Sequence, residues 1–423
     1  MFGVPDSGPS PMRFLLTPVG SSGDVHPFVG IGRELLARGH EVSLFSAEPH
    51  RQVVEQSGIE FVPTASGEQY HDATLNPDLW HPSRGFRTVL ELVMPMLEPT
   101  HRALQARHLP GRTALVGHPL GFATRTFEEQ TGVPAATIHL APSSLRSVYQ
   151  VPALPPGVDI SGLPQLLKRG LWALIDRVGI DPLVTPTLNR WRGTLGLPPV
   201  RRVFKDWVNS PRLVIGLFPE WFGARQPDWP GQFQHASFPL WDDPDAPLDP
   251  ELSAFLQGGT PPVVVFPGSA NRHGRAFFAA AAAALQRLRR RGIFLTGYAE
   301  QLPPALPDSI LQRSYAPFSA VLPRSAALVH HGGVGTMAQG FAAGLPQLIM
   351  PMAFDQPDNA LRATRLGTAR WLAPKRFTPE RVTAALEELL DDPAVARATA
   401  EHQNRLRDVS GIRMACDMLE RLT

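Results

Sequence analysis

Residues 330–336, His-His-Gly-Gly-Val-Gly-Thr, gather groups suited to binding an anion. Glycines at 332, 333 and 335 let the backbone approach a ligand closely and adopt positive φ. The apolar run 326–329 before them reads as a buried parallel strand. A helical run over 337–343, stopped by Gly344, follows. The unpaired N–H groups that open such a helix, with the positive end of its dipole, favour a phosphate. His331 and the Thr336 hydroxyl add side-chain donors, which suits a diphosphate held without a metal. A second apolar run, 347–352, leads into Asp355-Gln356, a carboxylate and an amide suited to sugar hydroxyls. Strand, glycine turn, helix and strand make a βαβ unit with a polar cluster beyond each strand's carboxyl end, where open α/β sheets bind ligands. A tight βα turn with capping residues explains a lone G-G-x-G about equally well. The Asp355-Gln356 pair favours a nucleotide sugar.

The segments 331–336 and 351–359 resemble, in order and separation, the nucleotide-sugar signature of the glycosyltransferases that include plant, sterol, macrolide and glycopeptide enzymes. The resemblance implies the α/β fold called GT-B, two doubly wound Rossmann-like domains facing a central cleft. It places a donor diphosphate over His331, Gly332, Gly333, Gly335 and Thr336, and the donor sugar on Asp355 and Gln356. Pro267-Gly268-Ser269-Ala270 resembles the family's first C-terminal turn, which puts Gly268 and Ser269 near the diphosphate. Residues 314–322, SYAPFSAVL, resemble its base-binding segment, so backbone groups around Tyr315 and Ala316 are expected to pair with a uracil or thymine edge. Gly20-Ser21-Ser22-Gly23-Asp24 resembles the N-terminal turn of the sterol and glycopeptide branch, whose aspartate deprotonates the acceptor hydroxyl. That role falls on Asp24. Without the resemblance, an aspartate there is more often a helix cap, and His26 is a competing base.

Among family members the chain is most similar to the rhamnosyltransferase chain of rhamnolipid biosynthesis. GSSGDVHPFVGIGRELLARGHEVSL, FPEWF with DWP, GIFLTG and LQRSYAPFSAVLP carry that similarity, whereas the His330-His331 pair resembles the sterol and glycopeptide enzymes. The resemblance implies an inverting hexosyltransferase that uses dTDP-rhamnose or UDP-glucose, with rhamnose favoured. Its acceptor would be a hydroxyl on an apolar molecule such as a hydroxyacyl lipid, or a sterol, flavonoid or polyketide aglycone. A sugar-nucleotide epimerase of the same fold is the alternative from another class.

These residues need a scaffold, and 423 residues suffice for two domains with full cores. The expected division is a disordered leader over 1–11, an acceptor domain over 12–241, a linker over 242–258, a nucleotide-sugar domain over 259–405, and a last helix over 406–423 crossing back to the first domain. Strands are expected at Arg13–Thr17, 41–46, 113–116, 135–140 and 213–218, then Val263–Phe266, 293–296 and 310–315. A turn over 18–27 is expected to precede a helix over 28–38. His118 and Ser143 follow strands and are candidate acceptor contacts, although a histidine such as His118 reads equally as a surface or satisfied-core residue. Residues 151–184 are proline-rich and then amphipathic. They read either as a helix packed on the sheet or, through Leu171 and Trp172, as a wall of an apolar acceptor pocket.

A formal charge of +2 argues against a nucleic-acid partner, and the single Cys416 excludes an internal disulfide and a cysteine metal site. That fits a cytoplasmic enzyme. No apolar run approaches the ~18 residues a membrane span needs, although an apolar acceptor is compatible with peripheral membrane contact. No carboxylate pair stands at the glycine turn, and a protonated His331 would repel a cation. No metal and no cofactor are therefore expected beyond the nucleotide-sugar co-substrate.

Overall fold

The computed structural model describes residues 11–153, 160–242 and 248–423. The expected leader therefore lies almost wholly outside the described residues, as does part of the expected linker. Seven parallel strands form the first sheet: β1 Arg13–Thr17, β2 Glu41–Ala47, β3 Glu60–Ala65, β4 Thr113–Gly117, β5 Ala135–His139, β6 Leu213–Gly216 and β7 Phe233–His235. Six more form the second: β8 Val263–Phe266, β9 Gly292–Leu295, β10 Ile310–Arg313, β11 Ala327–His330, β12 Gln347–Ile349 and β13 Ala369–Trp371. Phe14, Leu15, Leu16, Val264, Val265 and Leu328 are fully buried, as strands covered by helices on both faces require.

The strand orders fix where ligands can bind. The first sheet runs β3-β2-β1-β4-β5-β6-β7 and the second β10-β9-β8-β11-β12-β13. Each order reverses once, between β1 and β4 and between β8 and β11. A crevice opens at the carboxyl ends of strands at such a switch point. Thr17 pairs with Gly117, and Phe266 with His330. The turns beginning at Pro18 and His118 are therefore neighbours in one domain, and those beginning at Pro267 and His331 in the other.

Two joints hold the domains in register. Behind the cleft, Phe218, Phe222 and Phe238 share one apolar cluster with Met337, Phe341 and Ile349. The last helix, Gly411–Glu420, packs Ala415, Cys416 and Leu419 into the core around Phe28 and Leu35 of the first domain. Arg38 fastens it through Asp417 at 2.7 Å and Glu420 at 2.6 Å.

The structure corrects several boundaries. The first helix spans Ser22–Ala37, so the expected turn ends six residues early and Asp24 and His26 lie within that helix. Ser21 is its N-cap, and the Asp24 carboxylate accepts the Ser21 backbone N–H at 2.7 Å. This capping box sets the start ahead of Pro27. The helix Pro250–Gln257 occupies the second half of the stretch expected as linker. In the segment after 160, the helix Gln165–Ile175 is not packed on the sheet along its whole length, because Leu166, Leu167 and Leu174 are exposed. Among the described residues, no helix is long and apolar enough to cross a membrane.

Candidate active site

Both switch points open onto one cavity of about 940 Å³. Its second-domain wall is built around His331. Gly268, at φ 100°, and Gly333 flank the ring so closely that a Cβ on them would stand 2.9 and 2.5 Å from Nε2. Both positions must therefore be glycine for His331 to sit between the two turns. Burial holds this imidazole down to about 4, only partly opposed by the Phe266 carbonyl. His331 is neutral at pH 7, which corrects the expectation of a protonated ring. Its neighbour His330 is fully buried, accepts the Gly332 N–H on Nδ1 at 3.1 Å and meets Gln347 Oε1 at 2.9 Å through Nε2. The first histidine shapes the turn, and the second reaches the cavity.

Gly333 is the N-cap of the helix Val334–Ala342, and no side chain caps it. The first turn of that helix, with Gly335 and Thr336, faces the cavity. The N–H groups and dipole of such a helix start favour an anion without needing a side-chain cation. Gly332 does not line the cavity. At φ 96°, a Cβ there would lie 2.9 Å from Ile349 Cγ2, so this glycine serves the turn's packing rather than a ligand contact.

Asp355 is the N-cap residue of the helix Gln356–Arg365, and its Oδ2 accepts from Asn359 Nδ2 at 2.6 Å. Asn359 also donates to the Gly332 carbonyl at 2.9 Å, joining the glycine turn to the carboxylate. Gln356 is fixed through Oε1, which accepts the Met352 N–H at 2.8 Å and the Ala353 N–H at 3.2 Å. Burial lifts Asp355 to about 7; the Asn359 bond opposes this and the charge on Asp24 adds to it.

Asp24 faces it from the first domain. The Ser21 N–H and hydroxyl hold its Oδ2 at 2.7 and 3.1 Å. Burial still wins over these hydrogen bonds and raises the carboxyl to about 6. An acid poised there is ionised at neutral pH yet retains proton affinity, as a general base requires. His26 lines the same wall and meets Trp241 edge to face at 4.9 Å. Tyr70, held up by burial, feels the charges of Asp24 and Arg272. The beginning of the second domain also touches the first here: Arg272 Nε donates to Thr74 Oγ1 at 3.2 Å and its guanidinium stacks over Tyr298.

Comparison with known proteins identifies this arrangement. Residues 14–150 match the glycosyltransferase family 28 N-terminal domain, and residues 293–409 match the C-terminal domain of erythromycin biosynthesis protein CIII-like enzymes. O-mycaminosyltylonolide 6-deoxyallosyltransferase of Streptomyces fradiae is 32% identical, over 97% of both chains. The chain belongs to this glycosyltransferase family. The fold agrees: a solved glycosyltransferase of kitacinnamycin superposes with a TM-score of 0.73 at 22% identity, over 98% of this chain and 100% of that one. The spinosyn rhamnosyltransferase SpnG complexed with thymidine diphosphate does so with 0.68 at 18% identity, over 96% and 100%. Both are GT-B structures with two parallel-sheet domains, as here.

In this glycosyltransferase the cavity gathers nearly every expected site residue: Asp24 and His26, then Gly268 and Ser269, Tyr315 and Ala316, His331, Gly333, Gly335 and Thr336, and finally Asp355 and Gln356. Of the expected acceptor contacts, His118, Ser143 and Trp172 line it, while Leu171 does not. Successive residues of a helix point about 100° apart, so Trp172 takes the inward position that its neighbour cannot share. His118 is neutral, with burial holding it down to about 3, and its Nδ1 accepts the Leu120 N–H at 3.2 Å. Its Nε2–H is thus available as a donor. Sequence reading assigned no role to Asn359, Trp241, Asp242, Tyr70 or Arg272. Asn359 closes the matched signature and could have been suspected; the others carry no local pattern.

Proposed function

We propose that the enzyme moves a hexose from a thymidine or uridine diphosphate sugar to a hydroxyl of an apolar natural-product aglycone, with inversion. The observation that carries this reading is the pair Asp24 and Asp355, set on opposite domains of one cavity whose remaining wall is mostly apolar. Asp24 takes the acceptor proton as the acceptor oxygen attacks the anomeric carbon from the side opposite the diphosphate. Asp355 and Gln356 hold sugar hydroxyls. The departing diphosphate rests on the amides of 333–336, the Thr336 hydroxyl and neutral His331. A cavity of about 940 Å³ stands at the upper end of the size range of ligand sites. That favours a bulky aglycone beside the donor, and the macrolide substrate named for the Streptomyces relative supports the same class. Rhamnose is the sugar that the sequence resemblance favours. A hydroxyacyl lipid is the second acceptor class, supported by sequence resemblance alone.

Calorimetry with two ligands tests the donor assignment. Asp355→Ala is expected to weaken an intact nucleotide sugar by about tenfold, the worth of one hydrogen bond to a charged group. Free nucleoside diphosphate should be held as before. Equal losses for both would place Asp355 away from the sugar.

We also propose that transfer needs no metal. Among the described residues, no three His, Cys, Asp or Glu side chains cluster so as to hold an ion. With His331 neutral, repulsion of a cation is not the reason. The support is the uncapped helix N-terminus, which supplies positive potential where the diphosphate charge develops. Assays of a panel of nucleotide sugars against macrolide, glycopeptide, phenolic and hydroxyacyl acceptors should release nucleoside diphosphate only when both substrates are present. The rate should survive exhaustive EDTA. Loss of activity with EDTA, restored by one stoichiometric divalent cation, would show that the helix does not suffice.

A further inference from the structure

Resting on the donor-site reading above, we propose that Asp242 is a positioning residue for the nucleobase end of that site. Its carboxylate grips the expected base-binding segment at two points. Oδ2 accepts the Ser319 backbone N–H at 2.7 Å, and Oδ1 accepts the Tyr315 hydroxyl at 3.1 Å. Ser319 lies at the start of the short helix Phe318–Val321, and Ser314, Tyr315, Ala316 and Phe318 line the cavity. The two grips are four positions apart and straddle Ala316, Pro317 and Phe318, so one side chain spans the bend that presents this backbone. Both bonds run from a donor to a carboxylate oxygen.

Asp242 comes from outside the nucleotide sheet, and its neighbour ties the same place to the rest of the site. The Trp241 carbonyl accepts Gln339 Nε2 at 3.2 Å from the signature helix, and the Trp241 ring meets His26 on the helix that carries Asp24. Two adjacent residues thus touch the base segment, the diphosphate helix and the helix of the proposed base. Half of Tyr315 is exposed, 53% of its surface, so apolar burial alone does not fix its ring. The Asp242 carboxylate adds a polar hold on it.

Removing the grip leaves 314–319 to be ordered on binding, and freezing even one backbone residue is worth about tenfold in affinity. The test uses the full chain, with thymidine and uridine diphosphate as calorimetric probes and hydrogen exchange as the second readout. Asp242→Ala should bind the better of the two probes about tenfold more weakly. Its exchange should quicken over 314–320 and stay unchanged over 330–337. Asp242→Asn, which keeps one acceptor, should fall between it and wild type. Tyr315→Phe removes one arm without touching Asp242 and keeps the test open if Asp242→Ala does not fold; it should lose less affinity than Asp242→Ala and nothing further when combined with it. Wild-type affinity in Asp242→Ala, or exchange that quickens equally over 330–337, would overturn the positioning role. Failure of the wild type to bind either diphosphate would overturn the donor-site reading and this proposal with it.

Discussion

Asp24→Asn lowers turnover by about 100-fold or more, the usual contribution of a positioned general base, and leaves nucleoside diphosphate affinity essentially unchanged. The amide keeps the shape of the carboxylate and can still face Ser21, but it has no proton affinity. The wild-type enzyme should also show the base in its pH dependence. Burial raises Asp24 to about 6, and a base works only when ionised, so the rate climbs as pH rises through that value and then levels. Asp355, lifted to about 7, senses the charge on Asp24. The observed midpoint therefore belongs to the pair rather than to one residue. Asp24→Asn should lack the limb that belongs to Asp24. Steady-state rates measured from about pH 5 to 8 on both proteins check this, with reference to the unshifted carboxyl range near 4. Near-native turnover in Asp24→Asn together with its loss in His26→Ala would move the base to His26.

Gly20→Ala is expected to cost turnover nearly as much, without touching any ionisable group. Gly20 sits at φ 141°, and a Cβ built there would stand 2.1 Å from Asp24 Oδ2 and 2.5 Å from Cγ. The added methyl must push the carboxylate out of the Ser21 clamp. Misplacing a reacting group by about 1 Å can cost on the order of 100-fold. Gly39→Ala supplies the control. Gly39 also has positive φ, 89°, but nothing lies within 4 Å of its missing Cβ. It should share the backbone strain, lower the melting temperature and keep turnover. Rates and melting curves of the two variants separate the effects, and equal turnover in both would show that Gly20 does not position Asp24.

What was legible in the sequence is what is contiguous in it. The 330–336 turn and Asp355-Gln356 could be read because each motif supplies its own backbone and side-chain groups within a few residues. Most strands could be read from buried apolar runs, although β3, β7 and β13 could not; the last two are only three residues long. The start of the first helix was also readable, since Ser21 and Asp24 stand at capping-box spacing, but Pro27 drew attention to a later start. Protonation was not legible. His331 is neutral because Gly268, more than sixty positions earlier, lets the ring be enclosed. Asp24 is lifted by burial in a cavity wall that both domains build. The Asp242 grip on Tyr315 and Ser319 and the Arg272 contact with Thr74 span 73 to 198 positions. Nothing in either local sequence encodes such partners.

The measurement that bears most directly on the central claim is the anomeric configuration of the product, read by NMR from a reaction with one nucleotide sugar and one aglycone. Direct attack with Asp24 as base, opposite a diphosphate seated on the 333–336 turn, predicts a glycoside whose anomeric centre is inverted relative to the donor. It also predicts no change to the donor sugar when the aglycone is left out. A product with retained configuration, or a donor epimerised without acceptor, would contradict the account.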